Sequence, residues 1–388
     1  MTTNSPLPVQ SLIFSLVTAA FATVYITQPV LPVIENEFGI DARTASLSVS
    51  MVILGIALAN LPFGRVADQY PIKPIILMGG TIVAGASLVC AITHNIILFI
   101  AARFIQGLFI PSLTTCIAAY LAQSLPPARL NVMMGTYVSA TVAGGLSGRL
   151  LGGWIHPGLH WRYAFVSASV LLIATTVAAC LWLPEETSED KTAATETGFL
   201  KLIAQPLLLR VLVVPFGAFF VFSSTFNYLP FYLSQPPVSA RTEVITFMYL
   251  AYLVGIAMGP ISGRLSNRIG SGAIMVIGSL VFAAAMAGTL IQSIAMIAAS
   301  LVVICAGFFS IHASAVGLLN RRLTSSRGRA NSLYVLSYYA GGAAGITACG
   351  YAYASYGWAG AVALGGAVLL LPLGIGLTEI MQEQRKKS

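Results

Sequence analysis

Charge is what this chain has least of. Of 388 residues, 12 are Asp or Glu and 20 are Lys or Arg, so 8% are charged, against roughly 25% in soluble domains. So few charges cannot cover a water-facing surface, and 57% of the residues are hydrophobic. This composition excludes two or three soluble domains and predicts a polytopic membrane protein. Several motifs are missing as well. Without a Gly-x-x-x-x-Gly-Lys-Ser/Thr loop, ATP driving is not expected. Without H-E-x-x-H or G-x-S-x-G, an intramembrane enzyme is disfavoured. The five cysteines (Cys90, Cys116, Cys180, Cys305, Cys349) all lie in apolar runs, so neither a disulfide framework nor a metal site is expected.

What is present is a series of long apolar runs. A membrane-spanning helix needs about 20 such residues. Twelve spans are placed at 11–33, 45–64, 75–93, 96–121, 131–153, 161–183, 207–232, 243–263, 272–291, 294–319, 330–354 and 358–379. The runs are continuous, which favours helices over alternating barrel strands. No basic residue precedes the first run, so it reads as a retained helix rather than a signal peptide. The net charge of +8 is a matter of orientation, not of nucleic acid. With both termini inside, fifteen Lys/Arg fall in inner segments and three (Arg43, Arg162, Arg241) in outer ones, a strong positive-inside bias. Arg103 and Arg149 remain within spans. The inner segment 184–206 holds seven of the charged residues among Thr, Ser and Ala and reads as a linker, too short for a soluble domain.

The chain repeats itself. Tyr137, Gly144, Gly145, Gly148, Gly153 and Trp161 recur 197 residues later as Tyr334, Gly341, Gly342, Gly345, Gly350 and Trp358. Gly64-Arg65 recurs as Gly263-Arg264. The expected fold is therefore an all-α membrane protein of twelve helices in two pseudo-symmetric six-helix bundles, residues 1–183 and 207–388. Two such halves of like topology suit alternating access.

Three motifs resemble the major facilitator superfamily. Gly64-Arg65-Val66-Ala67-Asp68-Gln69-Tyr70-Pro71-Ile72-Lys73 after span 2 is similar to the family's Gly-x-x-x-Asp-Arg/Lys-x-Gly-x-Arg/Lys, with departures at Gln69 and Pro71. Arg103-Phe104-Ile105-Gln106-Gly107 in span 4 resembles Arg-x-x-Gln-Gly. Gly135, Gly144, Gly148, Gly152 and Gly153 in span 5 resemble the antiporter motif, with Arg149 in place of its proline. The third motif points to the twelve-span drug:proton antiporter branch. Gln28-Pro29-Val30-Leu31-Pro32, Phe226-Asn227-Tyr228 and Ser337-Tyr338-Tyr339 resemble its YnfM-type, arabinose-efflux-like members. The resemblance implies a transporter of the bacterial inner membrane driven by the proton gradient, with no bound cofactor, for a small-molecule substrate. A monomer in the lipid bilayer is expected. It also implies that Gly64, Arg65, Asp68 and Lys73 control conformation on the inner side, and that Arg103 takes part in proton coupling.

The residues themselves suggest further roles. Arg103 lies about 10 Å below the outer boundary at 1.5 Å per residue, and needs a partner or a cavity there. It is read either as a strut between helices or as a coupling residue. Gln28 is a candidate hydrogen-bond partner for it, and Gln106 belongs to its motif. Where many relatives carry an acid in span 1, this chain has Thr23, Tyr25, Thr27 and Gln28, so a membrane-centred carboxylate is lacking. The titratable candidates are then Glu35, Glu243 and His312, each with a plainer alternative of solvation, helix capping or burial as a neutral hydrogen bonder. Arg149 is expected to close an outer gate with Glu35 or Glu243. The glycines Gly144 and Gly148 are expected to serve close packing. Ten of fifteen tyrosines lie after residue 206. Asn227, Tyr228, Tyr252, Tyr334 and Tyr338 are candidates to line a site, Tyr334 and Tyr338 from one helix face. Two embedded arginines without a central acid favour a neutral or anionic amphipathic substrate. Export is the leading expectation, with uptake by symport or facilitated diffusion as the alternative.

Overall fold

The computed structural model describes residues 9–125, 127–184, 204–322 and 327–385, and the regular elements among them are helical. Apolar runs become helices because, in hydrocarbon, every backbone N–H and C=O must be satisfied within its own segment. Among the described residues, ten helical stretches are long and apolar enough to cross a bilayer. The last, Arg329–Arg385, turns at Gly357 (φ 59°, ψ −150°), a conformation open to glycine, and so holds spans 11 and 12. Span 5 is the 32-residue helix Pro127–Gly158, whose glycines and polar residues dilute its apolar character. Leu58, Val170, Leu181, Ile256 and Leu370 are among many large apolar side chains left exposed, as a lipid-facing surface requires.

Three spans are not continuous helices as the sequence suggested. Span 1 stops at Tyr25, restarts as a 3-10 turn at Gln28–Val30 and continues as Leu31–Phe38. Pro29 explains the stop, because its ring clashes with the carbonyl four residues back and it has no N–H. Span 4 breaks at Thr114, between Ile96–Leu113 and Thr115–Ser124. Span 8 comprises Thr242–Met248, a 3-10 segment Tyr249–Leu253 and Val254–Ile269. The expected linker lies, for residues 185–203, outside the described residues.

The chain divides into two compact units. The first contains Met1–Thr192 and Arg241–Tyr249, and the second Ala193–Ala240 and Leu250–Ser388. Each unit is held by the same device. In the first, glycines of span 5 seat on carbonyls of span 1: a Cβ at Gly148 would lie 2.0 Å from the Ala22 oxygen, and one at Gly144 2.5 Å from that of Thr18. In the second, Gly345 and Gly341 of span 11 seat on Phe220 and Phe216 of span 7, each at 2.2 Å. Without a hydrophobic driving force in lipid, such close backbone approach is what holds helices together.

The span ends that carry Trp161 and Trp358 are tied in parallel ways. Trp161 Nε1 and the Arg162 guanidinium both donate to the Glu37 carboxylate, and Arg162 also donates to the Thr93 carbonyl at 2.7 Å. In the second unit Trp358 Nε1 donates to Thr289 Oγ1 at 2.8 Å. Tyr232, stacked on Trp358 at 4.8 Å, donates to the Thr289 carbonyl at 3.1 Å.

Candidate functional site

The first unit buries two arginines, and each serves the break in span 1. Its first helix ends at Tyr25, so the carbonyls of Thr23 and Val24 are among the last four, which have no intrahelical donor. Arg103, fully buried, supplies the donors. Its Nη1 reaches the Thr23 carbonyl at 2.6 Å and its Nη2 the Val24 carbonyl. Nε donates to the Ser48 carbonyl of span 2 at 2.8 Å, and Nη1 also to Gln106 Oε1 at 2.6 Å. Gln106 passes the network on to Ser87 Oγ at 2.6 Å. A cation at a helix C-terminus is favourable on charge as well as hydrogen bonding. These bonds join spans 1, 2 and 4 through Arg103. Span 10 carries no arginine at the corresponding place, its first being Arg321 at the far end.

Gln28 does not serve Arg103 as expected. Its Oε1 instead accepts from Arg149 Nε at 2.7 Å. Arg149, 2% exposed, also donates to the Gly145 carbonyl at 2.7 Å. Its guanidinium lies 4.0 Å from the Tyr25 ring centre and 5.4 Å from that of Tyr249, both cation–π distances. The expected outer gate acids sit otherwise. Glu243, in the first turn of Thr242–Met248, accepts from Arg241 at 2.8 Å. Glu35 is half-buried in the short helix Leu31–Phe38. The start of span 8 does meet span 5: a Cβ at Gly153 would lie 1.9 Å from Thr246 Oγ1, and Trp154 and Phe247 rings pack edge to face at 5.8 Å.

In the second unit, His312 and the span 11 tyrosines come together. Tyr334 Oη lies 3.0 Å from His312 Nδ1, and the Tyr338 ring is 5.3 Å from the imidazole. Tyr338 stacks on Phe219 at 3.8 Å and Phe308 on Phe222 at 3.8 Å, while Tyr252 joins the cluster through Phe226 at 4.6 Å. Ser310 and Ser314, flanking His312 in sequence, point elsewhere and pair with Ser262 (3.0 Å) and Ser266 (2.9 Å) of span 8. Asn227 and Tyr228 are buried on span 7, the Tyr228 ring 5.2 Å from that of Tyr353.

The motif Gly64–Lys73 is not simply a loop. The helix of span 2 runs on to Gln69, so Gly64, Arg65 and Asp68 stand on its last turns. Asp68 is exposed there, near the C-terminal end of its own helix. Only Tyr70 and Pro71 separate it from the next helix, where Lys73 lies. Gly64 has open space where a Cβ would stand, so packing does not explain it. Sequence reasoning gave no role to Glu37, Thr93 or Thr289. It also missed Glu379, fully buried and paired with Arg322 at 3.0 Å. The recurring Trp161 and Trp358 were the available signal for the two tryptophan ties.

The pattern that defines the Major Facilitator Superfamily matches residues 13–345. The chain belongs to this superfamily. Among curated relatives it is 29% identical over 374 residues to the inner membrane transport protein YnfM of Escherichia coli (strain K12), covering 94% of this chain and 88% of that one. It is 27% identical over 360 residues to the MFS-type transporter YybF of Bacillus subtilis (strain 168), covering 91% and 88%. Among solved structures, a bacterial homolog of the human lysosomal transporter Spinster, in an inward-facing and occupied conformation, matches with TM-score 0.78 at 15% identity, covering 97% and 96%. The human organic anion transporter MFSD10 matches with TM-score 0.68 at 19% identity, covering 95% and 100%. These two likenesses establish the fold. This facilitator-superfamily protein is a multi-pass membrane transporter and not an enzyme.

Proposed function

We propose that the protein is a proton-coupled exporter of a small neutral or anionic amphipathic organic molecule, working as a monomer by alternating access in a bacterial inner membrane with both termini cytoplasmic. The observation that carries the reading is the repeated seating of span 5 on span 1 and of span 11 on span 7. Two units built by one packing rule are what a rocking transporter requires. The substrate class is supported by the stacked aromatics Phe219, Tyr338, Phe222 and Phe308 in one unit and by the buried Arg149 in the other. Apolar walls with few polar tips suit an amphipathic solute. With carboxylates confined to loops and span ends, His312, within hydrogen-bond distance of Tyr334 Oη at 3.0 Å in the span Ile294–Arg322, is the side chain this reading assigns to proton exchange.

Everted membrane vesicles carrying the protein test this directly. Export by proton exchange is expected to collapse an imposed pH gradient on adding substrate, screened across sugars, amphiphilic drugs and organic acids. A gradient unchanged across that panel would count against coupling. Uptake or facilitated diffusion is the second reading, favoured by the lack of an acid at the centre of span 1 and by Arg103 being occupied with backbone carbonyls. Counterflow that persists in the presence of an uncoupler is the result that selects it.

A further inference from the structure

Gln28 has no exposed surface, and its Nε2 is buried without a hydrogen-bond partner. The orientation of the amide follows from its other end, where Oε1 accepts from Arg149 Nε at 2.7 Å. Reversing the amide would set N–H against N–H, so the unsatisfied group is a donor. A buried donor left unpaired is costly and calls for an acceptor. Beside it stands the Arg149 guanidinium, flanked by the faces of Tyr25 and Tyr249. All four residues belong to the first unit. They stand where span 1 is interrupted between Tyr25 and Gln28, and interrupted helices are where transporters place their binding groups.

We propose that Gln28 and Arg149 form the recognition site for a carboxylate of the transported solute. The inference rests on the transport reading above and names its substrate class. A carboxylate only accepts, through two oxygens with about four lone-pair directions. One oxygen satisfies Gln28 Nε2 while the charge is met by the guanidinium, the pairing that Arg favours. A neutral hydroxyl would meet the amide but not the charge, and an amine would be repelled. Tyr25 and Tyr249 present ring faces to the apolar remainder of the solute. Because the cluster is closed over, admission requires the Tyr249 ring to leave the guanidinium.

The test uses the full-length protein purified in detergent. The probes are benzoate, octanoate and 2-naphthoate, each beside its neutral primary amide, with the thermal unfolding midpoint as readout. At least one acid is expected to raise the midpoint by roughly 3 °C or more at a hundredfold excess over its Kd, while its amide leaves it unmoved. Gln28→Glu, nearly unchanged in shape, brings its own carboxylate to Arg149 and is expected to abolish the acid's effect. Gln28→Leu keeps the positive charge but removes the orphan donor, and is expected to weaken the acid at least tenfold. The proposal is overturned if no acid shifts the midpoint, if acid and amide act alike, or if the shift survives both substitutions undiminished. Acid binding in detergent without transport in proteoliposomes would keep the site and remove the transport reading. Transport of a solute with no distinction between acid and amide would do the reverse.

Discussion

Arg103 donates to the carbonyl of Thr23 at 2.6 Å, closing a helix that Pro29 forces to end within span 1. The same guanidinium reaches Val24, Ser48 and Gln106. Arg103→Met would leave these acceptors without their donor, and each buried orphan costs about 1–3 kcal/mol. The variant is expected to lose several kcal/mol, seen as a large fall in unfolding midpoint or as failure to recover folded protein. Arg103→Lys, with three donors on a point charge, is expected to recover part of that loss. A normal midpoint for Arg103→Met contradicts the strut.

The glycine seats give a symmetric expectation. A Cβ at Gly148 or Gly345 would enter a main-chain carbonyl at 2.0 or 2.2 Å, which no side-chain rotation relieves. Gly148→Val and Gly345→Val are each expected to cost about 3 kcal/mol, with similar midpoint losses in the two units. Gly85, in the helix Ile72–Ile92, has nothing within 4 Å of the added atom. Gly85→Ala is expected to be neutral or to gain up to about 1 kcal/mol.

The two tryptophan ties differ in one respect that magnitude can read. Trp161 donates to a carboxylate and Trp358 to a hydroxyl. Hydrogen bonds to charged groups contribute about 1.5–3 kcal/mol and neutral ones about 0.5–1.5. Trp161→Phe is therefore expected to destabilise more than Trp358→Phe in parallel thermal melts. Equal losses would mean that the Glu37 charge adds nothing to the first tie.

His312 bears on coupling rather than on stability. His312→Gln keeps a polar group near Tyr334 Oη but has no titratable proton. Counterflow of substrate is expected to persist, while transport driven by a pH gradient falls at least tenfold. Proton-driven transport at the wild-type rate in this variant would remove His312 as the carrier.

Asp41 gives a pH expectation outside the membrane. It is the N-cap of span 2, accepting from Thr44 N at 2.8 Å. Hydrogen bonds from the Thr44 side chain and backbone hold its carboxyl below the usual range. A lowered folded-state pKa contributes stability above the unfolded value, roughly 3.9, and the contribution is lost as pH falls through the folded value. Asp41→Ala is expected to cost about 1 kcal/mol near neutral pH through the lost cap. Melts of the two proteins are expected to converge below about pH 4.

Length of apolar runs, placement of charge and recurrence of glycine determined the class, the span order and the twofold repeat. Each of these is written in composition or in fixed spacing along one chain. Only the tertiary structure decided partners. Sequence reasoning offered Gln28 to Arg103 and an acid to Arg149, because it matches opposite or complementary groups. Folding brought the proline break of span 1 beside both arginines, and the freed carbonyls of Thr23 and Val24 then took Arg103 together with the Gln106 side chain. Such carbonyls carry no letter in the sequence. Gln28 went to Arg149 for the same reason of proximity, since helix rotation and the seating of Gly148 on Ala22 place them face to face across 121 residues.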